Sequence, residues 1–371
     1  MQDTDYMRRA IELAVKGRGW TSPNPMVGAV IVKDGHIIGA GYHEQYGQLH
    51  AERNALAACT QLPEGAVVYV TLEPCCHYGK TPPCTEALIE AKVSRVVIGS
   101  RDPNPRVSGK GAAILREAGI EVTEDFLKRE CDEINPVFFH YITTRQPYVA
   151  LKYAMTADGK IAAYTGKSQW ITGEEARSHV HRLRHYYSGI MVGTGTVLED
   201  DPMLNCRLKN GKSPTRIVCD SKLRIPENSR LCQTARDIPL IVACAHADPE
   251  KKKRLQALGA EIAEVPGADG RVDIKRLMEI LGEKGIDSLL VEGGASLNYS
   301  VMKAGIAKKC YVYIGSKIFG GEGAKSPVGG QGCDSPENAV LLGRPKVHTF
   351  GEDLMLEYEV RKGVVPCSPE S

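Results

Sequence analysis

The stretch Thr71–Cys84, TLEPCCHYGKTPPC, places three cysteines and a histidine within the twelve residues that begin at Glu73. Such a set can form a closed metal cage, supply part of an open metal site, or enter disulfides. The surrounding sequence weighs against disulfides. Twelve cysteines in 371 residues are too thinly spread for a disulfide scaffold. The N-terminus, MQDTDYMRRAIELAVKG, is acidic and then amphipathic, without the basic start and apolar run of a secretion signal. No stretch approaches the ~18 apolar residues of a membrane span. The expectation is a cytoplasmic protein with reduced thiols, in which clustered cysteines bind metal or do chemistry.

Composition narrows the class. An apolar share of 42% and a charged share of 25% suit a globular protein. The length suits two domains of ordinary size. A net charge of +2 gives no electrostatic reason to expect a nucleic-acid partner. The densest basic run, EKKKRLQALG from Glu250, reads as the exposed face of a short helix.

Outward from the cysteine stretch, strand-like and helix-like segments alternate, which implies a layered α/β sheet. MVGAVIVKDGHIIGAGY reads as a hairpin about KDG. HAERNALAAC, CTEALIEAKV and GKGAAILREAG read as helices, and AVVYVTL and RVVIGS as buried strands. NPVFFHYITTRQPYVAL reads as the boundary region, giving domains 1–146 and 147–365. The second half alternates again, through SGIMVGTGT, PTRIVCDS, IPLIVAC and IDSLLVEGGASLN, with late strands in AKKCYVYIGSKIFGG and DLMLEYEVRKG. The tail VVPCSPES reads as frayed.

A catalytic zinc site keeps three protein ligands and leaves a fourth position open. Zinc deaminases join an H-x-E to a later P-C and a second cysteine. Here HAE supplies His50 and Glu52, and EPC supplies Pro74 and Cys75. The common spacing would put the second cysteine at position 78, which is Tyr78; Cys84 is the next candidate. Two prolines place Cys84 in the first turn of its helix, where the dipole favours a thiolate. His50 likewise opens a helix. His50 and Glu52 lie about 200° apart on a regular helix, so both reach one site only beyond its end. A closed site of Cys75, Cys76, His77 and Cys84 is the competing arrangement, but it leaves HAE unexplained.

TSPNPMVGAVIV, HAERNAL, TLEPCCHYGKTPPC and DPNPRVSGKG closely resemble the bifunctional deaminase-reductases of riboflavin biosynthesis. The resemblance implies a cytidine-deaminase-like N-terminal domain, with zinc held by His50, Cys75 and Cys84 and Glu52 as proton shuttle. The implied substrate is 2,5-diamino-6-ribosylamino-4(3H)-pyrimidinone 5′-phosphate, whose C2 amine leaves as ammonia. Asn24, His43, Lys80, Asp102 and Asn104 are the implied substrate contacts.

VEGGASLN from Val291 is a strand, a glycine turn and a helix start, able to expose backbone N–H groups to phosphate. GTGTVL stops short of the dinucleotide fingerprint. KYAMTADGKIA, SQWITG, GTGTVLEDDPMLNCR and VEGGASLN resemble the reductase half of the same family, which has a dihydrofolate-reductase-like fold. The resemblance implies an NADPH site at Ala154, Trp170, Thr196, Asp200 and Ser221. It adds the run Gly294, Ala295, Ser296, Leu297, Asn298, Tyr299 and Ser300. Ser168, Arg184, Leu204, Arg207 and Glu292 would line the substrate site, with the two arginines as phosphate clamps. Lys152 would position the substrate or supply a proton as hydride reaches C1 of the ribose. The preference for NADPH over NADH rests on the resemblance alone, as does a homo-oligomeric, tetrameric state.

Two other readings compete. A nucleic-acid-editing zinc deaminase with an accessory nucleotide-binding domain is disfavoured by the near-neutral charge. A structural zinc module would need four protein ligands.

Overall fold

Strands β1 (Gly28–Lys33) and β2 (His36–Tyr42) turn back on each other at Asp34 and Gly35, whose φ angles are 50° and 75°. A two-residue hairpin turn of this hand requires positive φ at both positions. β3 (Val67–Leu72) runs antiparallel to β1, then parallel to β4 (Arg95–Ser100), which pairs in parallel with β5 (Glu121–Thr123). The sheet order is β2-β1-β3-β4-β5. The computed structural model describes residues 1–79, 81–104 and 108–361. The chain divides into two units, Met1–Arg145 and Gln146–Ser371.

Both faces of the first sheet are covered, which explains its near-continuous apolar strands. Tyr69 and Val97 face helix Asp3–Ala14 through Tyr6, Met7, Ala10 and Leu13. Their neighbours Val68, Val70, Val96 and Ile98 face the other way. They pack on Ala51, Ala55, Leu88, Ala112 and Leu115 of helices Ala51–Ala57, Cys84–Glu90 and Lys110–Glu117. Helix Ala51–Ala57 lies unusually close to β2. A Cβ on Gly39 would stand 2.4 Å from the Ala55 carbonyl, and one on Gly41 would stand 2.5 Å from the Ala55 nitrogen. These two glycines set where His50 and Glu52 emerge.

The segment read as a boundary forms a further helix, Pro136–Thr144, with proline in its first turn. Phe138 anchors it in the core. Replacing such a buried ring by alanine costs about 3–5 kcal/mol.

The second unit holds a nine-stranded sheet built from β6 (Tyr148–Thr156), β7 (Gly189–Gly193), β8 (Thr215–Cys219), β9 (Leu240–Cys244), β10 (Glu261–Glu264), β11 (Ser288–Val291), β12 (Ala307–Gly315), β13 (Lys346–Phe350) and β14 (Asp353–Glu359). Its order is β10-β9-β8-β7-β11-β6-β12-β14-β13. The strands from β10 to β12 are parallel; β14 and β13 add antiparallel at one edge. Alternate residues again serve two cores: Met191, Ile217 and Ile241 on one face, Ile190, Val218 and Val242 on the other. In open sheets of this kind ligands bind beyond the carboxyl ends of the strands. Helices Glu174–Tyr186 and Ile274–Glu283, unread in the sequence, cover this sheet's strands together with helix Ala295–Lys303. No helix among the described residues is long and apolar enough to cross a membrane. The tail from residue 364, read as frayed, lies outside the described residues.

Candidate active sites

In the first unit, β3 ends at Leu72 and the chain runs through Glu73 and Pro74 to Cys75. Helix Cys84–Glu90 starts nearby, with Pro83 as its N-cap, and His50 is the N-cap of helix Ala51–Ala57. His50 Nδ1 lies 3.4 Å from Cys75 Sγ and 3.5 Å from Cys84 Sγ. Tetrahedral zinc with the usual Zn–N and Zn–S lengths separates such atoms by about 3.6 Å. The three donor atoms lie within 4.8 Å of one another. The spacing and the one-nitrogen, two-sulfur donor set therefore fit zinc. Cys76 and His77 are outside this trio, and among the described residues no closed four-ligand set forms with them.

The helix start at Cys84 serves a second sulfur as well. The dipole of the helix starting at Cys84 favours the sulfur of Cys75, because the Cys84 backbone N–H donates to Cys75 Sγ at 3.3 Å. The Cys84 thiol and then the His50 ring hold the Cys75 thiol down to about 4. Cys84 is pushed up, by its bond to Cys75 and by burial.

Residues the sequence did not single out assemble this site. Arg53 donates from Nε to the Pro82 carbonyl at 3.2 Å and from Nη2 to the Pro83 carbonyl at 2.8 Å, tying the two helix starts together. Thr85 donates its backbone N–H to the Cys75 carbonyl at 3.2 Å. Asn135 exchanges two 2.8 Å hydrogen bonds with the backbone of Met26, fixing the segment that carries Asn24.

A cleft of about 350 Å³ opens beside the trio, lined by Asn24, His43, Glu52, Asp102 and Asn104 among others. Glu52 is buried, and burial followed by the nearby Cys75 raises its pKa. His43 is buried against His50, ring centroids 5.2 Å apart. Its Nδ1 meets the Leu49 carbonyl at 3.0 Å and its Nε2 the Asn24 amide nitrogen at 3.4 Å. Burial lowers its pKa, so the ring is neutral and Nε2 accepts. Asp102 is pushed up to about 6 by burial, with Glu73 and Cys75 adding to the effect. Lys80 lies outside the described residues. Tyr141 and Arg145, from the helix read as a boundary, also line the cleft.

In the second unit Lys152 and Ala154 lie on β6, opposite Tyr311 and Tyr313 of β12. Glu292 follows β11. Arg184 donates from Nε to Glu292 Oε1 at 2.8 Å and from Nη2 to Oε2 at 3.0 Å; Lys152 Nζ stands 3.5 Å from Oε2. Burial works to raise the Glu292 carboxyl, but Arg184 and then Lys152 hold it down to about 2. Arg184, expected as a phosphate clamp, is also held within the protein. Its fork is committed to Glu292, and Nη1 donates to the Asn205 carbonyl at 3.2 Å. Arg207 is exposed, and its Nε donates to His181 Nε2 at 3.0 Å. Burial, followed by Arg184 and Arg207, holds His181 down to about 4, so it accepts as a neutral ring. Leu204, between them, is buried with φ 51°.

The remaining expected residues are partly gathered. β7 and β11 are parallel neighbours; β7 ends at Gly193, and Gly293 and Gly294 follow two and three residues beyond the end of β11 at Val291. A side chain at Gly195 would meet nothing within 4 Å, and one at Gly294 only Thr196 Oγ1, at 3.8 Å. Asn298 Oδ1, buried in helix Ala295–Lys303, has no hydrogen-bond partner among the described residues. This open cradle at a helix start fits a nucleotide phosphate. Ser168 Oγ donates to Asp200 Oδ1 at 3.4 Å, and Trp170 is exposed under the Arg177 guanidinium, 4.7 Å from its ring centre. Ser221 lies two residues beyond the end of β8, its carbonyl accepting from the Ala245 and His246 N–H groups. The run Gly294–Ser300 does not share one surface. Leu297 is buried, Gly329 lies against Ala295, the Tyr299 ring lies against Gly330, and Ser300 Oγ returns to the Ser296 carbonyl at 3.0 Å.

These folds and sites define a bifunctional class: a zinc-dependent deaminase followed by an NADPH-dependent reductase. The family model "Cytidine and deoxycytidylate deaminase zinc-binding region" matches residues 1–100, and "RibD C-terminal domain" matches 147–356. The chain belongs to the RibD family of riboflavin biosynthesis proteins. It is 53% identical over 360 residues to riboflavin biosynthesis protein RibD of Actinobacillus pleuropneumoniae, covering 97% of this chain and 96% of that one. Acinetobacter baumannii RibD, form 1, aligns with a TM-score of 0.87 at 34% identity, over 97% and 99% of the two chains. A Thermotoga maritima protein described as a diaminohydroxyphosphoribosylaminopyrimidine deaminase/5-amino-6-(5-phosphoribosylamino)uracil reductase aligns at 0.83, with 38% identity over 96% and 98%. Membership in this family displaces the nucleic-acid-editing and structural-zinc readings.

Proposed function

We propose that the chain runs two consecutive steps on one pyrimidine ribose-phosphate. The first converts 2,5-diamino-6-ribosylamino-4(3H)-pyrimidinone 5′-phosphate to 5-amino-6-ribosylaminouracil 5′-phosphate; the second reduces the ribosyl group to ribityl. The observation that carries the deaminase assignment is the His50, Cys75 and Cys84 trio with buried Glu52 beside it.

Zinc held by the trio supplies Lewis-acid activation of water near neutral pH. Glu52 takes the proton from the attacking water at its carboxylate and returns it to the departing C2 nitrogen. Its burial suits the task, because a carboxyl with a raised pKa can hold that proton between the two transfers. Asn24 and neutral His43 bind the pyrimidine from one wall, Asp102 and Asn104 from another. Arg145 is the one arginine or lysine among the described residues lining this cleft. It is the group we assign to the substrate's phosphate, with Lys80 as the further cation the family resemblance suggests.

In the reductase half, NADPH supplies the hydride when bound. The cradle at Gly294 and Thr196 takes its phosphates, with Ala154, Trp170, Asp200 and Ser221 as the further NADPH contacts the family resemblance suggests. Glu292 holds Lys152 in place, so that Nζ can give a proton as the sugar ring opens. Arg184 orients Glu292, and Arg207 with Ser168 and Leu204 faces the phosphorylated sugar. Cytoplasmic location fits the free thiols of the described cysteines. The edge strand β13, with Val347 exposed, supports assembly as a homo-oligomer.

Incubating the protein with the diaminopyrimidinone phosphate tests this reading. Ammonia should appear without NADPH, and NADPH oxidation should follow its addition. Oxidation with no ammonia, or neither signal, overturns it.

A further inference from the structure

We propose that Glu73 is a positioning residue of the deaminase cleft, whose carboxylate pins both ends of the loop that brings Asp102 and Asn104 to the cleft wall. The inference rests on the reading that those two residues contact the pyrimidine.

Glu73 is 4% exposed. Its Oε2 accepts the Asp102 N–H at 3.3 Å and the Gly109 N–H at 3.0 Å, and its Oε1 accepts the Ala112 N–H at 3.3 Å. Asp102 passes the constraint on, since its Oδ1 accepts the Asn104 N–H at 2.8 Å. Glu73 is itself fixed, its backbone N–H donating to the Ser100 carbonyl at 2.9 Å. It stands two residues before Cys75. One strand end therefore sets both the metal ligand and the opposite wall of the cleft.

The chemistry explains why a carboxylate occupies this place. A buried charge is costly unless it is hydrogen-bonded. Here both oxygens accept from backbone N–H donors, and the start of helix Lys110–Glu117 adds a favourable dipole. A cap for that helix would need only the Gly109 and Ala112 bonds. The third bond goes to the loop residue that lines the cleft. Gly111 closes the arrangement: a Cβ there would stand 2.2 Å from the Pro74 carbonyl and 3.3 Å from Glu73 Oε1. The helix start is thus pressed onto the metal-binding segment.

Glutamine cannot reproduce this set, because its NH2 must face at least one N–H donor. The test compares Glu73→Gln, Glu73→Ala and Asn104→Ala in the full chain. It measures deaminase kcat and KM, zinc content, and reductase turnover on the deaminated substrate. Glu73→Gln should raise the deaminase KM about tenfold and lower kcat less than about threefold, the scale of one lost charge-assisted hydrogen bond. Zinc and reductase turnover should be retained, and Glu73→Ala should give the larger rise. Combined with Asn104→Ala, Glu73→Gln should add little further to KM, since both act through one loop. An unchanged KM, additive effects, or loss of zinc from Glu73→Gln overturns the inference. A wild-type chain that releases no ammonia instead overturns the functional reading beneath it.

Discussion

Arg184 lies across Glu292 as a two-pronged pair, 2.8 and 3.0 Å at its two contacts, with Lys152 Nζ 3.5 Å from the same carboxylate. Both members of the pair are largely buried. Removing the arginine leaves a buried carboxylate half-compensated. Arg184→Ala should destabilise the second unit by about 3–5 kcal/mol, the usual cost of breaking a buried pair. It should also lower reductase kcat, because Lys152 loses a fixed partner. Thermal unfolding together with steady-state NADPH kinetics checks both. A rise in KM alone, with unchanged melting, would return Arg184 to the role of a plain phosphate clamp.

The same pair predicts an acid dependence. Glu292 is held down to about 2, below the ordinary carboxylate value. A depressed folded-state pKa contributes stability that is complete above the unfolded value of about 4.3. That stability is lost as pH falls from there through about 2. The melting temperature of the wild type should therefore fall more steeply over this window than that of Glu292→Gln. Parallel curves would contradict the assignment.

Cys84→Ser should lose zinc, and Cys76→Ser should keep it, because among the described residues Cys84 Sγ is the one further ligand grouped with His50 and Cys75. Metal content after dialysis against a chelator decides the matter; the reverse pattern would overturn the ligand set.

Arg145→Ala should raise the deaminase KM for the phosphorylated substrate about tenfold or more, the scale of a hydrogen bond to a charged group. The dephosphorylated nucleoside should be little affected. Equal effects on the two substrates would remove Arg145 from phosphate recognition.

How legible these sites were follows from how far apart their parts lie in sequence. The metal trio was readable because each ligand sits in a short motif at a helix start, His50 in HAE, Cys75 in EPC and Cys84 in TPPC. The residues that hold the trio were not. Arg53 reaches carbonyls 29 and 30 residues away, and Asn135 reaches Met26 across 109. Their partners are backbone atoms, which leave no mark on residue type. Glu73 lay inside the quoted stretch, yet its role depends on N–H groups 29 to 39 residues downstream. Arg184 was picked out, but its commitment to Glu292, 108 residues on, required the parallel sheet to bring them together. The helix-dipole reading of Cys84 left out Cys75: the first N–H of that helix points outward, at the neighbouring sulfur of Cys75.

The central claim is that two separate sites act in order, with Glu52 serving only the first. The most direct measurement is NADPH oxidation by Glu52→Gln on each of the two substrates. The account predicts wild-type oxidation of NADPH with 5-amino-6-ribosylaminouracil 5′-phosphate. It predicts none with the diaminopyrimidinone phosphate, where ammonia release should fall by about 10²–10⁴-fold with zinc still bound. Ammonia release at the wild-type rate, or loss of oxidation on the deaminated substrate, would contradict it.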